Sequence, residues 1–409
     1  MKIIPCIVGL GYVGLPITLN LAKNFLTYGF DKNKERIKKL KNKVDVNREF
    51  ESKKFGNIKK IIFTSKIKDI KKCNFFILCL PTPLHKNKKP DLSNLNDAIK
   101  IISSILKRDD IIFIESTVFP GVTEHCKNYL EKKTGLSNNK DFFIGYSPER
   151  INPGDNRCTL KNITKVVAIE TKNRKALKKI NEIYNKISRE LILSKDIRAA
   201  ETAKVIENIQ RDLNIALMNE ILLVCKKLKI NFKEVMRLAN SKWNFMNFMP
   251  GLVGGHCLPV DPYYLSTISK KNNLKTEVTL AGRKINDKML NYITKELNYF
   301  LNKKNKTLKN SKIMIVGLTY KAGVADMRNS LNFKIFKKIK KINNKIHGCD
   351  PFVTKNIKTI YGIYDNVKKN TYYDAILFLS YHKMFKKIFK KIVSSGSKNK
   401  ILDPFNYYS

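Results

Sequence analysis

Short runs that are apolar at nearly every position alternate, over the first 170 residues, with stretches whose apolar residues recur at helical spacing. The runs are IIPCIV (3–8), IIFTS (61–65), FFILCLPTP (75–83), DDIIFIESTVFPG (109–121), FFIGYSPERINPGD (142–155) and KVVAIE (165–170). Strands apolar on both faces and joined by helices, one of them near 94–106, predict an α/β fold built on a parallel sheet covered on both sides. Several of the predicted strands end in polar turns: Pro81-Thr82-Pro83, Ser116-Thr117 and Ser147-Pro148-Glu149-Arg150. Ligands of such sheets bind beyond the carboxyl ends of the strands, so these turns are expected to line a cofactor cleft.

The pattern changes at about 196, where DIRAAETAKVIENIQRDLNIALMNEILLVCKKL predicts one long helix, followed by helical stretches at 231–240 and 280–304. A helical middle of this kind suits the joining of two subunits into a homodimer. Residues 305–311, NKTLKNS, are polar and predict a linker. Beyond them SKIMIVGLTYK, HGCDPF (347–352), DAILFLSYH (374–382) and ILDPF (401–405) predict a second, smaller α/β domain. The expected domains are 1–195, 196–304 and 305–409: a Rossmann-like domain, a helical centre and a smaller Rossmann-like domain.

Composition changes this picture little. The net charge of +46 would ordinarily point to nucleic acid. Here the lysines are spread over nearly every predicted helix and loop and form no single arm or stripe, so no specific nucleic-acid partner is expected. The field still favours capture of an anionic ligand. The eight cysteines form no CxxC pair and no metal-ligand spacing with the five histidines, which predicts a reduced, cytoplasmic protein without a metal. The apolar run after Lys2 contains Gly9, Gly11 and Gly14, and no stretch approaches the ~18 apolar residues of a membrane helix.

Two stretches carry the candidate chemistry. Gly9-Leu10-Gly11-Tyr12-Val13-Gly14 lies between a predicted strand and a predicted helix, and Asp31 follows 22 residues after Gly9 at the end of the next short run. Such glycines let a pyrophosphate rest on the helix N-terminus, while the aspartate binds a ribose 2′-hydroxyl, which favours NAD over NADP. Arg36 suits either a 2′-phosphate or the adenosine side of NAD. The second stretch is FMPGLVGGHCLPVDPYYL (248–265), a Pro- and Gly-rich loop with Cys257 four residues ahead of Asp261. Cys257 is either a small buried hydrophobe or a nucleophile, and a nucleophile needs a cation or base to favour its thiolate. Lys204 is the candidate cation. With Asn208 it is spaced i, i+4 on the long helix, within a polar group that includes Glu207, Gln210, Arg211 and Asn214. Lys321 and Arg328, after the second strand–glycine unit, suit phosphate contacts.

In order and spacing, GLGYVGLP (9–16), GFD (29–31), ESTVFPG (115–121), SPERINPGD (147–155), AKVIENIQRDLNIALMNE (203–220), PGLVGGHCLPVDPYYL (250–265), AGRKIND (281–287) and GLTYKAGVADMRNS (317–330) resemble the UDP-glucose/GDP-mannose dehydrogenase family. The resemblance covers essentially the whole chain. It is strongest to the branch that oxidises UDP-N-acetylhexosamines, such as UDP-N-acetylglucosamine, because UDP-glucose enzymes usually carry a lysine where this chain has Val260. Leu258-Pro259 stands where the nearest branch often has Ile-Gly, and 42–50 lacks an expected glycine.

The resemblance implies an NAD domain, a dimerising helical centre and a UDP domain, with C6 of the sugar taken from alcohol to carboxylate while two NAD+ are reduced. It assigns roles as follows. Asp261, directly or through water held by Thr117, removes the hydroxyl proton. Cys257 attacks the aldehyde, Lys204 and Asn208 stabilise the oxyanion, and Glu149 directs the water that hydrolyses the thioester. For NAD it implies Gly9, Gly11, Tyr12, Val13, Gly14, Asp31, Arg36, Thr82, Ser116, Thr117 and Arg328. For the UDP-sugar it implies Glu149, Arg150, Asn152, Lys204, Asn208, Gly254 and Lys321. UDP-glucose and UDP-N-acetylmannosamine stand as alternative substrates. A two-electron hydroxyacid-type dehydrogenase would need neither the nucleophilic cysteine nor the second α/β domain. A basic nucleic-acid-binding protein would need a clustered patch or a reading motif, and neither is present.

Overall fold

The apolar runs become the strands of two separate sheets. The computed structural model describes residues 2–46, 55, 58, 60–150, 160–321, 327, 329–366 and 371–408. Asn152, Arg328 and part of the 42–50 segment lie outside them. The chain packs as two compact units, one of residues 1–207 with 263–275 and the other of residues 208–262 with 276–409.

The first unit begins with β1 (Pro5–Val8), α1 (Gly14–Leu21), β2 (Thr27–Phe30), α2 (Lys34–Lys41), β3 (Ile61–Thr64), α3 (Ile67–Ile70) and β4 (Phe75–Leu78). It continues with α4 (Ser93–Ser103), β5 (Ile111–Ile114), α5 (Val122–Thr134), β6 (Phe143–Tyr146), β7 (Thr164–Ala168), α6 (Arg174–Tyr184) and β8 (Glu190–Ser194). The strands form one eight-stranded sheet in the order β3-β2-β1-β4-β5-β6-β7-β8. The central strands β1, β4 and β5 are buried at every residue because helices cover both faces. One apolar cluster, with Ile7, Ile77 and Phe113, fills one side, and another, with Val8, Leu78 and Ile114, fills the other. Successive residues of each strand thus feed opposite cores. The expectation of a parallel sheet needs one correction: β6 and β7 pair antiparallel, and all other neighbours are parallel. Side-chain pattern fixes which residues are buried, not which way a strand runs.

The long helix α7 (Ile197–Lys227) passes from the first unit into the second. After α8 (Phe232–Ala239) comes α9 (Asp261–Lys271), which starts inside the stretch read above as a loop. The prolines explain the misreading. Pro262 stands in the first turn of α9, where a missing N–H costs nothing, so it starts a helix instead of stiffening a loop.

The second unit continues with α10 (Glu277–Asn302), β9 (Ile313–Val316), α11 (Leu331–Ile342), β10 (Ile346–Cys349), α12 (Lys355–Tyr361), β11 (Ile363–Tyr364), β12 (Ala375–Phe378), α13 (Lys383–Ser394) and β13 (Ile401–Leu402). Its five-stranded sheet, β11-β10-β9-β12-β13, is parallel throughout. No helix among the described residues is long and apolar enough to cross a membrane.

Candidate active site

In the first unit β1 delivers Gly9 at φ +92°, in the left-handed region, with its N–H donating to the Phe30 carbonyl at 2.9 Å. A side chain there would meet the Cys79 carbonyl oxygen at 2.5 Å, and one at Gly14 would meet the Gly9 carbonyl oxygen at 1.9 Å. The protein's own packing therefore demands these two glycines. Gly11 is different, since a Cβ added to it meets nothing within 4 Å. The open side of Gly11, at the approach to the N-terminus of α1, fits a pyrophosphate that needs bare backbone close by. Asp31 at the end of β2 accepts the N–H groups of Leu10 and Asn33, both at 2.9 Å, so the acid is fixed against the turn. Arg36 is buried and supports the same turn from behind. Its Nε and Nη2 donate to the Leu10 carbonyl at 3.0 and 2.8 Å, and Nη1 pairs with buried Asp45 at 2.8 Å. The sequence offered it two possible places beside a nucleotide; the fold uses its guanidinium to brace the backbone between Gly9 and Gly11.

Two of the strand-end turns touch. The Thr82 hydroxyl donates to the Thr117 carbonyl at 2.7 Å, and the Ser116 hydroxyl accepts the Leu80 N–H at 2.9 Å. Tyr264, on α9, donates to the Thr82 carbonyl. Lys204, which in so lysine-rich a chain had to compete with the expectation of a solvated surface residue, is only 8% exposed, and its Nζ donates to the Glu149 carbonyl at 2.5 Å. Arg150 pairs with Glu207 at 2.5 Å. Within the polar group on α7, the Asn214 amide turns back to the Gln210 carbonyl at 2.9 Å, an exposed bond on the helix's own backbone.

Two buried features near these turns escaped the reading of the sequence. Glu201 accepts the N–H groups of Gly121 and Thr123 at 2.6 and 2.9 Å, which satisfies the start of α5 in place of an ordinary cap. Below the turns, Lys165 of β7 meets Glu115 at 2.5 Å, both side chains wholly buried. Burial pushes the Glu115 carboxyl up, to about 7, with Lys165 pulling the other way. Burial also opposes the charge of Lys165, yet Glu115 and Glu149 together keep its pKa above the ordinary lysine value. Cys79 and Tyr184 beside them are pushed well up, first by burial and then by the Glu115 charge.

In the second unit the cysteine loop is held at both ends. At its start Asn219 of α7 clamps Gly251, accepting its N–H at 2.8 Å and donating to its carbonyl at 3.0 Å. Asn219 also donates to Asn286, which donates to Asp212, and Asp212 is paired with Arg283 at 2.6 Å; all four side chains are buried. At the other end the Cys257 carbonyl accepts the N–H groups of Val260 and Asp261, each at 2.9 Å, in the turn that opens α9. Cys257 is exposed, the one such cysteine among those described, so the buried-hydrophobe reading does not describe it. Asp261 is 2% exposed and accepts the Asn208 amide at 2.5 Å. Gly254 packs on backbone, where a side chain would meet the Asn329 carbonyl oxygen at 2.8 Å, and Gly255, at φ +91°, faces the Tyr320 ring. The loop is thereby seated on the segment after β9, which also carries half-buried Lys321.

That segment repeats the device of the first unit. Gly317 has φ +85° and donates to the Cys349 carbonyl at 3.0 Å, and buried Asp350 accepts the N–H groups of Leu318 and Thr319 at 2.7 and 3.0 Å. Gly9 with Asp31 and Gly317 with Asp350 are thus equivalent pairs in two nucleotide-type folds. Asp350 could have been found from HGCDPF, which, like GFD, closes a strand with an acid. Among the described residues no cluster of three or more His, Cys, Asp or Glu side chains could hold a metal ion.

The NAD-binding domain of the UDP-glucose/GDP-mannose dehydrogenase family matches residues 1–188, its central domain residues 198–288 and its UDP-binding domain residues 314–409. The chain is 42% identical over 398 residues to the UDP-N-acetyl-D-glucosamine 6-dehydrogenase of Salmonella typhi, covering 96% of this chain and 93% of that one. It is 39% identical over 388 residues to the enzyme of the same name from Pseudomonas aeruginosa, covering 93% and 90%. Its fold matches the solved UDP-D-ManNAc dehydrogenase of Pyrococcus horikoshii with a TM-score of 0.85 at 31% identity, covering 100% of this chain and 96% of the other. With its three domains matched in order, this chain belongs to the UDP-glucose/GDP-mannose dehydrogenase family and is an NAD-dependent nucleotide-sugar dehydrogenase.

Proposed function

We propose that the substrate is UDP-N-acetylglucosamine and that C6 of its sugar is oxidised to the carboxylate through a thioester on Cys257. The observation that carries the mechanism is the Asn208–Asp261 hydrogen bond, which ties the polar face of α7 to the turn carrying Cys257. The N-acetylglucosamine assignment rests on the likeness to the Salmonella typhi and Pseudomonas aeruginosa enzymes.

NAD+ accepts the hydride in each of the two oxidations. The protein supplies the rest. Asp261, directly or through a water on Thr117, takes the proton of the C6 hydroxyl as the aldehyde forms. Cys257 Sγ then adds to the aldehyde carbon. Lys204 and Asn208 stabilise the resulting oxyanion as ammonium and amide donors. Loss of the second hydride leaves a thioester. Glu149 takes a proton from the water that cleaves the C–S bond, releasing the carboxylate and the thiolate. Gly9, Gly11, Tyr12, Val13, Gly14, Asp31, Thr82 and Ser116 form the NAD side, with Arg36 bracing the turn. Arg150, Gly254 and Lys321 serve the UDP-sugar. The functional division is 1–195 for NAD, 196–304 for the helical centre and 305–409 for UDP, in a cytoplasmic protein with reduced thiols.

Comparing kcat/KM for UDP-N-acetylglucosamine, UDP-N-acetylmannosamine and UDP-glucose tests the substrate. The first should exceed the others by at least about tenfold, a difference worth ~1.4 kcal/mol in transition-state binding. A preference for the mannosamine epimer would replace it.

The working form is proposed to be a homodimer. Leu217 and Val224 on α7, with Leu228 just past its end, recur seven and four residues apart and are 49%, 50% and 63% exposed in the single chain, an apolar stripe that a second copy would cover. Leu217→Glu with Val224→Glu should halve the mass seen by light scattering and leave NAD+ binding intact. An unchanged mass would remove this interface.

A further inference from the structure

We propose that Asn219 is a positioning residue for Cys257: it clamps the leading end of the cysteine loop, so that the sulfur is in place when the aldehyde forms. This rests on the reading of Cys257 as the nucleophile given above. Gly251 is buried and belongs to no helix or strand, so its N–H and carbonyl need partners that regular structure does not provide. Asn219 supplies both from one amide. Beside it the Tyr407 hydroxyl donates to the Pro250 carbonyl at 2.9 Å, and a side chain at Gly251 would meet that hydroxyl at 2.5 Å, so the loop start is gripped from two sides.

The side chains behind Asn219 fix which way round its amide lies. Asn286 Nδ2 donates to the Asp212 carboxylate at 2.8 Å and to the Asp212 carbonyl at 3.0 Å, and both of these oxygens can only accept. The Asn286 oxygen must then face Asn219, whose Nδ2 donates to it at 2.8 Å. That leaves the Asn219 oxygen for the Gly251 N–H. An ion pair as buried as Asp212–Arg283 is a weak device for stability alone, since an apolar pair of similar volume commonly serves at least as well. As the fixed end of an ordered chain of donors it has a use. Asp261 is held separately, by the Asn208 amide and by the Cys257 carbonyl. Loosening Gly251 therefore disturbs the leg of the loop that leads to the sulfur and leaves the proposed base in place. Attack on the aldehyde carbon needs the sulfur within about 3.5 Å, so capture is the step that suffers.

The test runs the whole enzyme on limiting UDP-N-acetylglucosamine with excess NAD+ and semicarbazide as an aldehyde trap, counting NADH and weighing the products. Wild type should give about two NADH per sugar and little trapped aldehyde. Asn219→Leu, similar in size but without hydrogen bonds, should keep the KM for NAD+ and the first hydride transfer within about threefold, slow the second about tenfold or more, and release trapped aldehyde. Asn286→Leu, which leaves the clamping amide present but free to turn, should shift the products the same way and carries the test if Asn219→Leu does not fold. Leu297→Ala, a wholly buried position further along α10, should lower the melting temperature without releasing aldehyde. Asn219 and Asn286 variants that melt early yet still give two NADH per sugar, or that slow both hydride transfers alike, would overturn the positioning role. One NADH per sugar in wild type would remove Cys257 as the nucleophile, and the proposal with it.

Discussion

Cys257→Ser should leave the fold and NAD+ binding intact and reduce turnover by at least about a thousandfold, the scale seen when an enzyme loses its nucleophile. The size follows from the site. Cys257 is exposed in a turn whose carbonyl is fixed by Val260 and Asp261, so the backbone that presents position 257 does not depend on the thiol. A serine hydroxyl at neutral pH is almost wholly protonated and is a far weaker nucleophile than a cysteine thiolate. Steady-state kinetics beside a melting curve checks this. Activity within about tenfold of wild type would mean that C6 is oxidised without a bond to this sulfur.

The second large effect separates two glycines of one turn. Gly14→Ala should destabilise the protein and abolish NAD+ binding together, because the new methyl would lie 1.9 Å from the Gly9 carbonyl oxygen and α1 would have to move. Gly11→Ala should melt as wild type does, since its methyl meets no protein atom within 4 Å, yet raise the KM for NAD+ by about tenfold or more. Melting temperature and KM measured on both variants decide the matter. A Gly11→Ala enzyme with unchanged KM would place the pyrophosphate elsewhere.

The turn itself was legible from sequence because three constraints coincide there: an apolar strand, glycines at fixed spacing, and an acid closing the next strand. The Cys257 loop was legible for a similar reason, since glycines, prolines and a cysteine are costly to combine in a mere connection. Lys204 and Asn208 could be placed on one face because helical spacing is local. The antiparallel pairing of β7 was hidden because an apolar strand reads the same in either direction. Arg36 was hidden differently: its partners, the Leu10 carbonyl and Asp45, are brought to it by the path of the chain, which no spacing announces. Lys165 was obscured by abundance. Among 80 Lys and Arg residues, one lysine at the start of a strand looks like another solvated cation until its neighbours across the sheet are known. Asn219 and Asp212 lie on the same helix as exposed Gln210 and half-buried Asn214, but their side chains are wholly buried, which helical spacing alone does not distinguish.

The most direct test of the whole account is the amount of NADH formed when limiting UDP-N-acetylglucosamine is driven to completion with excess NAD+. Oxidation through an enzyme-bound thioester predicts about two NADH per sugar and a carboxylate at C6. One NADH per sugar, with an aldehyde released, would contradict it and leave Cys257 without its role.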